Sequence, residues 1–174
     1  MRTFVAITLP DDVRTALTDA FVDAPGGLRW ARPEQWHLTL AFLGETDRGA
    51  EDVAAAVGQP EGPLELALTG PGRFGDRVLW LGIEDRPAGQ LHRVARHVRA
   101  GLRAAGLPFD DKSFRPHVTV ARAARREVTQ RDVGWTQARA PAMAWTVDAL
   151  HVLHSHLGGG PARHEAVATI PFRT

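Results

Sequence analysis

The chain has 174 residues, 44% of them hydrophobic and 24% charged, which are ordinary globular values that argue against a disordered, collagen-like or disulfide-stabilised chain. Its 21 basic and 20 acidic residues leave a net charge of +1, so a polyanion would have to be bound by a local cluster of cations. Cysteine is absent, no apolar run approaches the ~18 residues of a membrane span, and no signal peptide is recognised, so thiol chemistry is excluded and we expect a cytoplasmic protein.

The N-terminal third of the chain is predicted to contain strands on either side of a helix. Thr3–Leu9 is rich in β-branched residues and predicts the first strand. Pro10 and the two aspartates that follow it favour a helix start, because proline is tolerated in the first turn and carboxylates suit the positive end of the helix dipole. This helix is expected to end before Pro25. A short strand at Leu28–Trp30 and a stronger one at Trp36–Leu43 are predicted next.

The middle of the chain is predicted to form a helix, a β-hairpin and a longer helix. Ala50–Val57 has helical spacing, and strands at Leu64–Thr69 and Val78–Ile83 are separated by a segment rich in glycine and proline that favours a turn. The long helix spans about Ala88–Ala105, since apolar residues recur on one face and Gly106 fits the left-handed position beyond its end. The arginines on its other face are expected to be solvated rather than to bind RNA.

The C-terminal third is predicted to consist mainly of strands. His117–Arg122 predicts a strand, Val128–Val133 a short helical turn, and Met143–Leu157 and Glu165–Phe172 two strands joined by a glycine-rich loop. No flexible linker divides the chain. The order of elements therefore predicts an α+β fold with mostly antiparallel sheet and one domain over residues 1–174.

The most informative feature of the sequence is a short pattern that occurs twice. The tetrapeptides His37–Leu40 (HLTL) and His117–Val120 (HVTV) both read His, apolar, Thr, apolar, and their histidines lie 80 residues apart. Residues i and i+2 of a strand share a face, so each motif presents a histidine and a threonine on one surface while its apolar residues face a core. One such tetrapeptide is an ordinary amphipathic strand, but two copies predict motifs that face each other across a cleft.

Two imidazoles and two hydroxyls around one cleft suit one type of reaction. A neutral imidazole accepts a proton and an imidazolium donates one near neutral pH, so a pair of histidines can deprotonate an attacking water and protonate a leaving alkoxide. The hydroxyls of Thr39 and Thr119 can hydrogen-bond the non-bridging oxygens of a phosphate as charge builds there. The pattern therefore indicates in-line attack at the phosphorus of a diester, with His37 and His117 as the acid–base pair.

Longer blocks around both motifs resemble those of the two-histidine (2H) phosphoesterases, and in particular the RNA 2′,3′-cyclic phosphodiesterases, also called 2′-5′ RNA ligase-like proteins. Arg2–Ile7 (RTFVAI) is similar to the first strand of that family, and Trp30–Glu45 (WARPEQWHLTLAFLGE) to its first motif block. Phe114–Arg122 (FRPHVTVAR) resembles the second block, and Leu153–Gly160 resembles the C-terminal hairpin. The resemblance spans nearly the whole chain.

This resemblance implies a fold, an activity and a pair of catalytic roles. The fold would be bilobal, with two pseudo-symmetric lobes of mostly antiparallel sheet, outer helices and a central groove. The activity would be hydrolysis of RNA or nucleoside 2′,3′-cyclic phosphates to 2′-phosphomonoesters, with no metal and no other cofactor. By motif, His37 would donate a proton to the 3′ oxygen and His117 would activate water.

The same resemblance implies further site residues and the partners. Thr39 and Thr119 would hold the phosphate, and Arg122 matches an arginine positioned near it. Phe4 matches an aromatic residue that borders the groove and could touch a base, although a plain core residue fits its context equally well. The expected partners are RNA 3′ ends or nucleotides that carry a 2′,3′-cyclic phosphate, with no membrane association, and the expected state is a monomer.

The chain departs from the family pattern at one position, and two alternative functions remain to be considered. Where the family often has tyrosine after the C-terminal glycine loop, this chain has His164, so base or chain-length preference could differ. One alternative is RNA ligation in the same site, with a ribose 5′-hydroxyl in place of water; the other is non-catalytic binding of a nucleotide or RNA end. Hydrolysis is favoured, because water outcompetes a hydroxyl unless RNA is held in register and because all four motif residues are present.

A cluster of histidines and a pair of aspartates can be considered as metal ligands, but both fit ordinary structural roles better. On one strand His154 and His156 share a face while His151 takes the other, so the three do not converge on a shared ion. Asp110 and Asp111 fit a turn before the second motif strand. No metal site is therefore expected.

Overall fold

The computed structural model describes all residues from 1 to 174. Nine strands, four α-helices and one turn of 3-10 helix follow one another along the chain. The strands are β1 (Arg2–Thr8), β2 (Leu28–Trp30), β3 (His37–Gly44), β4 (Leu64–Phe74), β5 (Val78–Asp85), β6 (His117–Ala123), β7 (Ala144–Val147), β8 (Ala149–His156) and β9 (Arg163–Pro171). The helices are α1 (Asp11–Ala20), α2 (Ala50–Val57), α3 (Gln90–Ala104) and α4 (Gln130–Arg139), and the 3-10 turn spans Pro33–Gln35.

The predicted α+β class is confirmed, and most predicted elements lie within a few residues of the observed ones. In the hairpin, β4 continues to Phe74 instead of ending at Thr69. The glycines at 70 and 72 therefore lie inside the strand, and the chain turns only at residues 75–77, where Gly75 has a φ of 55°. Glycine tolerates this left-handed conformation without a steric penalty.

The prediction of a short helical turn at Val128–Val133 is wrong, because α4 begins at Gln130 and has ten residues. A capping box starts it: Thr129 and Asp132 each accept from the other's backbone N–H. The helix escaped detection because its buried positions include the polar residues Asp132 and Thr136, so its apolar periodicity is weak.

The prediction of one strand over Met143–Leu157 is also wrong. Asp148 separates β7 from β8, and the two strands belong to different sheets. The alternation changes phase at this break, because the buried residues are Trp145 and Val147 in β7 but Leu150 and Val152 at the start of β8, and the prediction of a single strand overlooked this change.

Two antiparallel sheets form the two lobes. The first has the strand order β3-β1-β8-β9 and the second β2-β6-β5-β4-β7. In each sheet three further strands follow the motif strand, β1-β8-β9 beside β3 and β5-β4-β7 beside β6. This correspondence gives the expected pseudo-symmetry, and the second sheet has the additional strand β2 on the other side of β6. The lobes are not the two halves of the sequence, however, because the first sheet combines the first strand of the chain with the last two.

A continuous core of 32 buried hydrophobic residues joins the sheets and the helices. The long helix α3 buries its predicted apolar stripe, which consists of Leu91, Val94, Ala95, Val98 and Leu102. It packs against β3 of the first sheet and β5 of the second, so it bridges the lobes on the core side. None of the helices has the length and apolar character needed to span a membrane.

Candidate active site

The two motifs lie on strands that approach each other between the lobes. Residues of β3 and β6 come within 8 Å between Cα atoms. On β3, His37 and Thr39 are half-buried on the face opposite the buried Leu38. On β6, His117 and Thr119 show the same alternation. Both motifs therefore present an imidazole and a hydroxyl on the face of the sheet that is turned away from the core, as their period of two predicts.

A β-bulge at the same place in each motif strand changes which later residue shares this face. The pairing of β3 with β1 leaves Leu40 without a partner, and the pairing of β6 with β5 leaves Val120 without one. Each extra residue reverses the alternation, so the fifth residue after the histidine, rather than the fourth, returns to the histidine's face. That residue is Phe42 in the first lobe and Arg122 in the second, and solvent reaches part of each side chain.

Specific hydrogen bonds hold both bulges. The Leu40 carbonyl accepts a bond of 3.1 Å from Nε of Arg99, and the Val120 carbonyl accepts one of 2.8 Å from the backbone N–H of Ala31. Arg99 lies on α3 and also donates to the carbonyl of Lys112 at 2.7 Å. Its side chain is only 18% exposed, so the expectation that this arginine is solvated is wrong.

Both histidines are oriented by the same local bond. Nδ1 of His37 lies 2.7 Å from the Gln35 carbonyl oxygen, and Nδ1 of His117 lies 2.5 Å from that of Arg115. A carbonyl oxygen can only accept, so Nδ1 carries the hydrogen in each ring. Each neutral imidazole therefore keeps Nε2 as a free proton acceptor, which is the atom that can exchange a proton with a ligand.

Each sheet curls toward the groove. Phe4 pairs with Phe42 and Thr8 pairs with His37, so four residues, about 13 Å, separate Phe4 from the level of His37 along the strand. Their rings nevertheless lie 4.8 Å apart between centroids. In the second lobe Phe74 is likewise several residues along the sheet from the level of His117, and their ring centroids are only 4.9 Å apart. Side chains on one face meet over such a distance only where that face is concave.

The first lobe surrounds His37 with rings. The ring of His164 lies 5.0 Å from that of His37 and 5.3 Å from that of Phe4, edge to face in both contacts. Phe4 is 4% exposed and belongs to a small cluster with Ala6 and Leu153, separate from the main core. Phe4 therefore packs against the His37 ring as a buried residue. Its contact with a base stays a prediction.

A side chain of the 3-10 turn ties this cluster to the C-terminal loop. Gln35 accepts a hydrogen bond of 2.8 Å from the N–H of Arg32 and donates one of 2.8 Å to the carbonyl of Ala162. The backbone carbonyl of Gln35 accepts the hydrogen bond from Nδ1 of His37. Gln35 thus fixes the glycine loop, and through it His164, against the first motif.

The second lobe supplies two aromatic residues that the sequence pattern did not indicate. Phe74 contacts His117 edge to face, and its ring lies 5.4 Å from that of Trp80. Trp80 lies across Gly72, where an added Cβ would come within 2.4 Å of the indole ring. Only the cross-strand pairing of Trp80 with Thr119 and with Gly72 brings it to the groove, and such pairing has no local signal.

Burial and neighbouring cations keep both histidines neutral in the free protein. Burial lowers the pKa of His37 to about 4, with smaller contributions from His164, His117 and Arg122. Burial, aided by Arg122, also lowers the pKa of His117 below its ordinary value. Arg122 itself has a lowered pKa, because it is partly buried and faces Arg29. The groove is therefore electropositive around two uncharged imidazoles, a combination that favours an anionic ligand.

The residues weighed as metal ligands have other partners or stand apart. Asp110 pairs with Lys112 at 3.2 Å, and Asp111 pairs with Arg103 at 3.4 Å. His156 pairs with Glu165 at 3.2 Å, while His151 lies on β8 opposite Ala6. No three histidine or carboxylate side chains come together as a set of metal ligands.

The six residues selected from the sequence thus lie on the strands that flank one groove: His37, Thr39, His117, Thr119, Arg122 and Phe4. Two Nε2 atoms that can exchange protons, two hydroxyls and a guanidinium are the groups needed for acid–base chemistry on a phosphate ester. The fold and this set of groups define the class of two-histidine phosphoesterases.

Comparison with known families identifies the chain more narrowly. A sequence model of the 2′-5′ RNA ligase superfamily matches residues 9–159. The chain belongs to the 2′-5′ RNA ligase superfamily, which confirms the resemblance read from its motif blocks.

Curated relatives carry one common name. An RNA 2′,3′-cyclic phosphodiesterase of Geobacillus stearothermophilus is 28% identical over 180 residues, which cover 97% of this chain and 56% of that protein. An RNA 2′,3′-cyclic phosphodiesterase of Thermus thermophilus is 35% identical over 137 residues, which cover 70% of this chain and 68% of the relative. The chain thus spans just over half of the first relative and about two thirds of the second.

A solved structure has the same fold over nearly the full length. The structure of Escherichia coli LigT complexed with 3′-AMP matches with a TM-score of 0.80 and 25% identity, over 99% of this chain and 98% of LigT. The two-lobed arrangement is therefore shared with a protein that binds a nucleotide.

Proposed function

We propose that this protein hydrolyses RNA or nucleoside 2′,3′-cyclic phosphates to 2′-phosphomonoesters. The observation that carries the proposal is the matched pair of histidines, each held through Nδ1 by a backbone carbonyl two residues before it. The names of the relatives and the nucleotide bound to LigT support the same substrate class. Because the two motifs come from different lobes, the active unit is the whole of residues 1–174.

The reaction uses the two free Nε2 atoms in turn. Nε2 of His117 accepts a proton from water as the water oxygen attacks phosphorus, and the bond between phosphorus and the 3′ oxygen breaks. Nε2 of His37, which takes up a proton from solvent when the anionic substrate binds, gives that proton to the 3′ oxygen, which leaves as the 3′-hydroxyl, and the phosphate stays on the 2′ oxygen. The two imidazoles then exchange the proton through solvent and return to their starting states.

Three further groups act on the phosphate. The hydroxyls of Thr39 and Thr119 donate to its non-bridging oxygens, and Arg122 balances the charge that grows on them. The bound anion also raises the pKa of His37, which would otherwise be uncharged at neutral pH and could not act as the acid. Binding of the anionic substrate therefore favours the protonated form of His37, which is the form that can act as the acid.

Phosphorus NMR tests this proposal directly. A digest of a 2′,3′-cyclic nucleotide in the presence of EDTA should yield the 2′-phosphomonoester, and H37A and H117A should each lower the rate by roughly 10²- to 10⁴-fold. The matched control is H92A, which removes an exposed imidazole of α3 outside the groove. Near-full activity of either motif variant, or loss of activity with EDTA, would contradict the proposal.

The alternative activities have distinct readouts in the same preparation. Incubation with RNA halves that end in a 2′,3′-cyclic phosphate and a 5′-hydroxyl would yield a 2′-5′ linkage if ligation dominates. Tight binding of a 2′-phosphorylated nucleotide with no turnover would indicate a binding module. Hydrolysis is favoured over binding alone because two histidines are available as acid and base, and over ligation because water is the more abundant nucleophile.

A further inference from the structure

Three arginines form a row that leads away from the groove. Arg122 occupies the histidine-bearing face of β6, and Arg29 lies directly opposite it on the edge strand β2. Residues directly opposite each other in an antiparallel pair share a face, so both guanidinium groups project on the groove side. Leu28 and Trp30, the neighbours of Arg29, turn toward the core. Arg125 follows in the loop after β6 and is exposed.

These three guanidinium groups have no carboxylate partner within ion-pair distance. Arg126, next to them in the sequence, shows the contrast: it binds the buried carboxylate of Asp132 through two hydrogen bonds of 2.8 Å. Like charges that face each other across a strand pair are destabilising. The pKa of Arg122 is lowered first by partial burial and then by repulsion from Arg29. Such an arrangement is relieved when anions bind between the cations.

The row borders a cleft at the rim of the second lobe. The cleft has a volume of about 620 Å³ and is lined by Gly27, Leu28, Arg29, Ala124 and Arg125. Its walls are fixed by Arg126, which donates to the Gly26 carbonyl at 2.9 Å and packs against Gly27. A volume of this order accommodates a nucleotide.

We propose that Arg29 and Arg125 form a subsite for the phosphates that precede the terminal cyclic phosphate of an RNA chain, while Arg122 stays at the terminal phosphate. This inference rests on the proposed function and assigns to it a polymeric substrate. Guanidinium groups suit phosphate oxygens because they donate in a planar fork. With a net charge of only +1, the protein has no general attraction for nucleic acid, so this local row supplies it.

The test compares substrates of different length. We expect kcat/KM for a tetranucleotide that ends in a 2′,3′-cyclic phosphate to exceed that for the cyclic mononucleotide. In R29Q and R125Q the ratio of these two values should fall by about tenfold each, as expected for loss of one charged hydrogen-bonded contact. The dependence of the tetranucleotide reaction on salt should also become shallower by about 0.7 in log–log slope per arginine.

The matched control is R96Q, which removes an exposed arginine of α3 and should leave both the ratio and the salt slope unchanged. Equal kcat/KM for both substrates in the unmodified protein, or a ratio that R29Q and R125Q do not change, would overturn the proposal. Equilibrium binding of a labelled tetranucleotide with a terminal 2′-phosphate gives a second measurement. It tests the arginine row even if neither cyclic phosphate is hydrolysed, an outcome that would count against the proposed function alone.

Discussion

The two active-site imidazoles have the same hydrogen bond but different surroundings. His37 lies against Phe4 and His164, and it is the more strongly desolvated of the two. His117 contacts Phe74 on one side and remains more open. Desolvation disfavours the charged form of an imidazole, so both rings are weaker bases in the free protein than histidine in water.

The pH dependence of the reaction should reveal this difference between free and bound states. Because both pKa values lie below 6.5 in the free protein, both limbs of the kcat/KM profile should fall below pH 6.5. The bound phosphate raises both pKa values, so the optimum of kcat should lie at higher pH than that of kcat/KM. Steady-state rates on a cyclic nucleotide, whose diester stays a monoanion throughout, measure both profiles. A kcat/KM optimum above pH 6.5 would contradict the assignment.

At the scale of elements, the start of α4 holds the second lobe together. Asp132 is buried, accepts two bonds from Arg126 and accepts the N–H of Thr129. The hydrogen bonds from Arg126 and Thr129 outweigh the burial penalty and lower the pKa of Asp132 to about 2. The same arginine fixes the rim loop at Gly26 and Gly27, so this pair also shapes the cleft beside Arg29.

Acid unfolding should report the Asp132 contact. A folded-state pKa below the ordinary value of 3.8 contributes stability that is complete above about pH 4 and is lost as pH falls through 2. The shift corresponds to about 2 kcal/mol. Urea unfolding of D132N should therefore show a loss between pH 5 and pH 2 that is about 2 kcal/mol smaller than in the unmodified protein. D11N, at a fully exposed carboxylate, serves as the control and should behave like the unmodified protein.

Local patterns predicted most elements, but long-range pairing determined where the site residues point. The strands of the two motifs follow from alternation, which is a local property. The bulges at Leu40 and Val120 are defined only against β1 and β5, so the displacement of Phe42 and Arg122 onto the groove face could not be derived from spacing. Resemblance to the family, rather than periodicity, selected Arg122. Nothing local indicated Trp80, which reaches the groove through its pairing partners.

At the scale of the whole molecule, the two motif strands present matching side chains to the groove at every position but one. The residue that the bulge returns to the groove face is Phe42 in the first lobe and Arg122 in the second. The histidines, the threonines and the backbone carbonyls that hold the rings correspond in both. Since Arg122 is the charged member of this unmatched pair, we expect it to help to set which ester oxygen of a bound phosphate faces His37.

Replacing this arginine should change the product as well as the rate. In R122F, which gives the second lobe the aromatic residue of the first, we expect the rate to fall by roughly 10²- to 10³-fold, as for loss of a group that stabilises transition-state charge. A fraction of the product should become the 3′-phosphomonoester, because the substrate can then bind in either sense. Phosphorus NMR distinguishes the two isomers, and R122Q separates loss of charge from gain of the ring. Only 2′-phosphomonoester from both variants would refute this role.

The pairing of β1 with β8 has a consequence for how the protein is made. On the ribosome β1 emerges first, yet one of its two neighbours in the sheet, β8, is not synthesised until about residue 149, and β9 follows it. The strands β2, β4, β5, β6 and β7 are complete by residue 147, so the second lobe can assemble while the first sheet still lacks two of its four strands. A nascent chain thus displays one histidine on a finished sheet and the other on an unfinished one. Catalytic competence should therefore arise only after β8 and β9 have been synthesised and have paired beside β1.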